Sequence, residues 1–219
     1  MLQKLINNFR TNNKIMLKKT FQTLLLKYTD DHVIIEKFWN EIKMQYSKKK
    51  RHYHTLSHLE NILKELLDVK DKVEHWDTIL FTLFYHDIIY LATKSNNEEE
   101  SAKLAELRMK QIKVPTEVIQ NCVHQIIATK AHLENSNSDT NYFTDADLSV
   151  IGQSLENYTD YYNNVRKEYS IYPNLVYNPG RKKVLTHFLE MERIYKTDYF
   201  YTKYERQAKK NLQTEYDLL

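Results

Sequence analysis

Apolar residues recur every three to four positions along most of this 219-residue chain, which is the spacing of one helix face. One such stripe comprises Val33, Ile34, Phe38, Trp39 and Ile42. Only two Gly and three Pro occur, whereas sandwiches and barrels need many turn residues. The sequence therefore predicts an all-α bundle of about eight to ten helices. We assign residues 31–219 to this bundle and residues 1–30 to a peripheral N-terminal helical extension.

Local patterns also predict where several elements begin and end. Residues 77–91 are apolar on almost all sides, which is typical of a helix at the centre of a bundle. The polar stretch 133–142 predicts a loop, and 145–152 predicts a short helix that Gly152 terminates. The pair Asn178-Pro179 predicts the start of another helix, because proline is favoured in the first turn.

The overall charge is mild, at +3 with neutral histidines. A stable nucleic-acid complex is not expected, because such binders usually carry a strong basic stripe. The N-terminus lacks a continuous apolar core followed by a small-residue cleavage site, so we predict a cytoplasmic protein without membrane association. The 17 tyrosines are interpreted as a composition bias shared with Lys and Asn, in preference to a dedicated aromatic binding surface. The oligomeric state is left open.

The chemistry of the chain is concentrated in a few histidines and aspartates. Four of them lie on three segments that are bordered by apolar helical sequence: His58, His86, Asp87 and Asp147. Imidazole nitrogens and carboxylate oxygens together bind borderline divalent cations. We therefore predict that these four side chains bind one divalent cation, with Mn, Mg, Fe, Co and Ni as the candidates.

The His86-Asp87 pair lies inside the apolar run LFTLFYHDIIYL. Adjacent residues on a helix point about 100° apart, so both side chains reach one ion only at a helix end or beside the backbone. A buried carboxylate is costly unless something compensates it, and a structural His–Asp hydrogen bond is the alternative to an ion. Asp145 is interpreted as an N-cap. Asp147 lies in the first turn of the predicted helix, where capping is less useful, so coordination is the preferred interpretation.

The order and context of these residues resemble those of the HD-domain metal-dependent phosphohydrolases. The run YHTLSH at 53–58 is similar to the YHN-x-x-H element of the cyclic-nucleotide phosphodiesterases, although Thr55 replaces the asparagine. The run ADLS at 146–149 resembles a second element of those enzymes. The resemblance covers about residues 33–215, which is most of the chain.

This resemblance implies an HD-domain bundle that hydrolyses a phosphoester or phosphoanhydride with a metal-activated water. It also implies that His54 is the general acid and that His58 is a ligand. The spacing alone leaves both histidines open as ligands, because residues four apart share a helix face. The expected substrate is a small phosphorylated molecule, with nucleotides among the candidates. The alternative is a catalytically silent HD module that binds a nucleotide or regulates another activity.

Acidic residues follow the His-Asp pair in the run NNEEES. By resemblance, one of Glu98, Glu99 and Glu100 contacts the bridging water or a second metal, and Glu99 is our catalytic candidate. Complementarity to the dipole of a helix N-terminus explains the same residues equally well.

Basic side chains are candidates for binding the substrate phosphate. Arg51 lies next to the Tyr-His element, and Arg181 lies at a predicted helix start, where an anion is favoured. A solvated surface position is the alternative for both arginines. Lys130, near the end of a core helix, is a third candidate. His132 could bind a second metal or a phosphate, but a solvated helix-end histidine is the favoured interpretation.

Overall fold

Helices account for most of residues 16–219, the part of the chain that the computed structural model describes. No strand occurs in that range, so the prediction of an all-α bundle with eight to ten helices is confirmed. The ten helices are α1 (16–25), α2 (His32–Gln45), α3 (Leu56–Asp68), α4 (Trp76–Tyr85), α5 (Asn97–Gln111), α6 (Thr116–Ala128), α7 (Ser138–Asp147), α8 (Leu155–Glu168), α9 (Asn174–Glu190) and α10 (Asp198–Leu218). Short 3₁₀ turns follow α3 and α7, at Lys70–Lys72 and Leu148–Gly152.

The centre of the bundle is α4, whose side chains are buried from Thr78 to Tyr85. This helix contacts α3, α5, α6 and α7. A helix surrounded in this way has no face left for water, which explains its continuous apolar run. It is ten residues long. Within residues 16–219, no helix has both the length and the apolarity needed to cross a membrane.

Helix α4 ends earlier than the sequence predicts. The apolar run continues to Leu91, but the helix stops before His86, which is its C-cap. Arg51 donates hydrogen bonds to the carbonyl oxygens of Asp87 and Ile88. Because these buried carbonyls have a partner outside the helix, the chain can leave the helical path at this point.

Helix α1 is part of the bundle. Four of its apolar side chains are at most 1% exposed: Leu17, Phe21, Leu24 and Leu25. The ring of Phe21 lies edge-on to that of Phe84 in α4, with centroids 4.9 Å apart. The predicted boundary at residue 30 therefore does not hold for residues 16–25, because their helical spacing already forms a core face. Residues 1–15 of the predicted extension lie outside the described residues.

Helix α7 begins inside the stretch that was predicted to be a loop. The side chain of Asn137 caps the helix by accepting a hydrogen bond from the amide of Thr140. A capped start stabilises a helix even where the following residues are polar. The predicted short helix at 145–152 is consequently the last turn of α7 followed by a 3₁₀ turn.

Asp145 lies near the C-terminal end of α7, so it is not the N-cap of its own helix. Its buried carboxylate accepts hydrogen bonds from the amides of Lys196 and Thr197 and from the Thr197 hydroxyl, at 2.7–3.0 Å. Thr197 is the N-cap residue of α10. Asp145 therefore ties the end of α7 to the start of α10.

Helix α9 starts at Asn174 and contains Pro179 in its interior. Its N-cap is Pro173, so the helix begins after Pro173 and not at Asn178-Pro179, where the sequence predicts its start. Arg181 consequently lies in the middle of a helix. The favourable dipole of a helix N-terminus, on which its predicted phosphate contact partly rests, acts only within the first turn.

The two glycines differ in what an added side chain would meet. Gly152 packs against α10 so closely that a Cβ would lie 2.8 Å from the carbonyl oxygen of Tyr204. Its φ is not positive, so Gly152 is required by this close approach and not as a helix terminator. At Gly180 in α9, a Cβ would meet no atom within 4 Å.

We expect Gly152→Ala to lower the free energy of unfolding by about 1–3 kcal/mol, because the 3₁₀ turn or α10 must shift to admit the methyl group. Gly180→Ala is the matched control and should raise it by about 0.5–1 kcal/mol, because alanine favours a helix interior. Urea unfolding followed by circular dichroism measures both changes. Equal effects of the two substitutions would contradict the packing argument.

Candidate metal centre

Three helix ends bring predicted metal ligands together. His58 lies in the first turn of α3, His86 is the C-cap of α4, and Asp147 is the last residue of α7. One ligand atom from each residue lies within 4.8 Å of the other two, and such a group could hold a metal ion. Both histidines are buried.

The imidazole nitrogens of the two histidines face each other and one carboxylate oxygen. His58 Nε2 lies 3.2 Å from His86 Nε2 and 3.2 Å from Asp147 Oδ1. His86 Nε2 lies 3.8 Å from the same oxygen. Ligand atoms that are each about 2.1 Å from one ion lie about 3 Å apart when they subtend a right angle. These separations therefore fit a single cation.

Asp87 faces the same two nitrogens. Its Oδ2 lies 3.2 Å from His86 Nε2 and 3.6 Å from His58 Nε2. The side chains of two adjacent residues can converge here because α4 stops before His86. The structure thus brings together all four side chains that the sequence predicts as ligands. We call this group, His58, His86, Asp87 and Asp147, the cluster.

The hydrogen bonding of His86 fixes which of its nitrogens faces the cluster as a ligand. Its Nδ1 lies 3.0 Å from the carbonyl oxygen of Leu83, which can only accept. Nδ1 therefore carries a proton, and Nε2 is the nitrogen that a cation can occupy. A hydrogen bond of this kind orients the imidazole ring in most metal-binding histidines.

The partly buried carboxylates of Asp87 and Asp147 favour the binding of positive charge at this site. Burial lowers the pKa of His58, but Asp147 and Asp87 outweigh burial and raise it to about 9. Burial also lowers the pKa of His86, and Asp87 again reverses the direction. Burial raises the pKa of both aspartates, yet the neighbouring histidines hold each pKa below its usual range. Protons and a metal ion compete for such donors, so a divalent cation fits this set.

His132 extends the cluster beyond the predicted ligands. Its Nε2 lies 3.0 Å from Asp147 Oδ2, the oxygen that does not face His58. Its side chain is 15% exposed, and its φ of 52° places the backbone in the left-handed region after α6. The interpretation of a solvated helix-end histidine is therefore wrong, because His132 is held against Asp147.

His54 lies beside the cluster and is held by Glu168, a residue that the sequence did not indicate. Its Nδ1 lies 2.7 Å from Glu168 Oε2, and its Nε2 lies 3.8 Å from Asp87 Oδ2. Glu168 Oε1 accepts hydrogen bonds from the three consecutive amides of residues 52–54. Burial raises the pKa of Glu168, but the hydrogen bonds from His54 and the amides lower it to about 2. The carboxylate is ionised at neutral pH, so His54 Nδ1 donates to it.

Arg51 connects the His54 segment to the end of α4. Its Nη1 donates to the carbonyl oxygens of His54 and Asp87, and its Nη2 donates to the next carbonyl along the chain. The guanidinium carbon lies 4.8 Å from the centre of the Tyr46 ring and 5.6 Å from that of Tyr90. The prediction that Arg51 binds substrate phosphate is therefore revised, because its side chain is buried and bound to backbone.

The other predicted site residues lie outside the cluster. Arg181 forms a two-point ion pair with Glu215, with N–O distances of 2.7 and 2.8 Å. Lys130 donates to the carboxylate of Glu99 and to the carbonyl oxygen of Ser95. The assignment of Arg181 to phosphate binding is revised, because its buried guanidinium is engaged by Glu215. The Lys130–Glu99 pair is exposed, so the assignments of Lys130 to phosphate binding and of Glu99 to catalysis stay predictions.

A cavity of about 560 Å³ adjoins the cluster, which is a typical volume for a small-molecule site. His54 and His132 line it on the side of the cluster, where they approach Asp87 and Asp147. Most of the remaining lining is apolar. Six aromatic side chains contribute to it: Tyr90, Tyr161, Tyr169, Tyr172, Tyr177 and Phe188. The interpretation of the tyrosines as composition bias misses this grouping.

The chain that forms this cluster and cavity was compared with known proteins. Comparisons with protein-family models, with curated proteins and with solved structures gave no match for this chain. The expected relationship to HD-domain proteins therefore stays a prediction. The function has to be inferred from the contacts themselves.

Glu168 should make the stability of the protein depend on pH in acid. Its folded-state pKa of about 2 lies below the ordinary value of 4.5. Its stabilising contribution is therefore fully present above pH 4.5 and is lost as the pH falls through 2. The contribution at neutral pH is roughly 3 kcal/mol.

Urea unfolding of the wild type and of Glu168→Gln measures this contribution. The difference between their free energies of unfolding should shrink as the pH is lowered from neutrality toward 3. Glu156→Gln, at an exposed position of the same helix, is the control and should show no such trend. A pH-independent difference for Glu168→Gln would contradict the ionised pairing with His54.

Proposed function

We propose that this protein is a metal-dependent phosphohydrolase of the HD type. The proposed ligands of one divalent cation are His58, His86, Asp87 and Asp147. The observation that carries the proposal is that both carboxylates approach both buried Nε2 atoms, at 3.2–3.8 Å. The order and context of the same residues, which resemble those of HD-domain enzymes, support it. A small phosphorylated substrate and a cytoplasmic location belong to the proposal.

The donor set favours a cation that accepts both nitrogen and oxygen ligands, such as Mn, Fe, Co, Ni or Mg, over zinc in a closed tetrahedral site. When bound, the cation would lower the pKa of a water ligand and polarise a phosphoryl oxygen. His132 supports the site from outside, because its contact with Asp147 Oδ2 fixes the direction of that carboxylate.

His54 is placed to supply a proton. Because Nδ1 is bound to the ionised Glu168, Nε2 is directed toward the cluster at Asp87. A leaving oxygen beside the cluster lies within reach of Nε2, which can protonate that oxygen as its bond to phosphorus breaks.

Protein that has been loaded with Mn²⁺ and dialysed should retain about one ion per chain. Asp87→Ala should lose the ion and all activity, because one of the two carboxylate ligands is removed. Asp71→Ala, at an exposed position, is the matched control and should bind like the wild type. Elemental mass spectrometry measures the metal content. Full occupancy in Asp87→Ala would sink the ligand assignment.

His54→Gln should keep the metal while the rate of hydrolysis falls roughly 10²–10⁴-fold, the usual contribution of general acid–base catalysis. The rate of Glu168→Gln should fall less, because glutamine can still accept the backbone amides of residues 52–54 but holds the His54 ring less firmly than the carboxylate does. A screen of phosphoesters with several added metals supplies the substrate for these rates. Loss of metal from His54→Gln would instead identify His54 as a ligand.

A further inference from the structure

The cavity beside the cluster is lined by four side chains that can carry positive charge, and each one already has a carboxylate partner. The pairs are His54 with Glu168, His132 with Asp147, Lys130 with Glu99, and Arg181 with Glu215. Positive charge in the wall is therefore compensated before any ligand enters. An anionic group placed there would lose its hydration without gaining an unpaired cation.

The rest of the wall is apolar and aromatic. The ring of Tyr90 stacks on that of His54, with centroids 4.0 Å apart and planes at 30°. Val176 and Val184 line the cavity and are 56% and 44% exposed, so the apolar surface continues to its opening. A flat aromatic ring gains both apolar contact and favourable ring geometry from such a wall.

His54 lines the cavity and is also the proposed proton donor, so the cavity lies directly beside the place where the proton is transferred. A group that leaves phosphorus with a proton from His54 must lie next to this ring, and the space next to this ring is the cavity. We propose that the cavity binds an uncharged aromatic alcohol as the leaving group. The substrates are then phosphate esters of such alcohols and not phosphoanhydrides. This inference rests on the proposed hydrolysis.

In this reaction, a water oxygen forms a bond to phosphorus while the bond between phosphorus and the alcohol oxygen breaks. The electron pair of the broken bond stays on the alcohol oxygen, which takes the proton from His54 Nε2. The proton that the water releases restores His54, and the products are the alcohol and inorganic phosphate. In a phosphoanhydride the leaving group is itself a phosphate, and the paired cations of the wall do not compensate its charge.

Binding of a neutral alcohol tests the cavity independently of turnover. Calorimetry with the full chain should show that 1-naphthol binds more tightly than cyclohexanol. Val184→Asp should weaken naphthol binding roughly tenfold, because a carboxylate in the wall loses hydration when the ring binds. Thr186→Asp places the same charge on α9 outside the cavity lining and should leave binding unchanged. Gly180→Asp, where a Cβ meets no atom within 4 Å, is a second variant for the case in which Val184→Asp does not fold.

Kinetics then tests the relation to hydrolysis. With Mn²⁺ present, kcat/KM for 1-naphthyl phosphate should exceed that for pyrophosphate at least about tenfold. Val184→Asp should lower the value for naphthyl phosphate more than that for methyl phosphate.

The two experiments separate the two proposals. Naphthol binding that Val184→Asp weakens, without hydrolysis of any ester, would overturn the hydrolysis and leave the ligand class of the cavity standing. Equal kcat/KM for pyrophosphate and naphthyl phosphate would overturn the leaving-group inference while hydrolysis stands. Naphthol binding that is absent, or that neither Val184→Asp nor Gly180→Asp weakens, would also overturn the leaving-group inference.

Discussion

The arrangement of the site depends on one buried guanidinium. The guanidinium of Arg51 donates hydrogen bonds to the carbonyl oxygen of His54 and to those of Asp87 and Ile88, the two residues that follow His86. A buried carbonyl without a partner costs roughly 1–3 kcal/mol, so the bonds from Arg51 stabilise the path by which the chain leaves α4 at His86. The same side chain holds the His54 segment against Asp87. Arg51 therefore positions the proposed proton donor relative to the end of α4, where two of the proposed ligands lie.

The fold class and the proposed ligands could be predicted because their signals are local in the sequence. Helical spacing of apolar residues needs only a short window, and it indicates the bundle. The His86-Asp87 pair is visible because it interrupts a run of buried apolar residues, where polar groups are costly unless something compensates them. The last residue of α4 and the first residues of α7 and α9 could not be predicted in the same way. At α4, for example, the end is set by hydrogen bonds from Arg51, a residue on another segment.

The partners of the site residues could not be predicted in this way. Glu168 lies 114 positions from His54, in a polar helix where several residues have similar side chains. Arg181 looks like a phosphate ligand as long as it is considered alone, but Glu215 meets it in the fold. A single sequence gives residue types without pairings, so a neutralised arginine and an unpaired one look the same. The tyrosines of the cavity wall are likewise dispersed in the sequence and meet only when α8 and α9 pack beside the cluster.

The proposed site is built from two parts of the chain. The proposed metal ligands all lie on α3, at the end of α4 and on α7, whereas much of the cavity wall comes from α8 and α9. Positions such as Val176 and Val184 line the cavity and face solvent, so they can change without disturbing the core. Descendants of this chain could therefore exchange one organic group for another through a few surface changes while the proposed hydrolytic centre persists. Specificity would diverge faster than chemistry, and a designer could follow the same route.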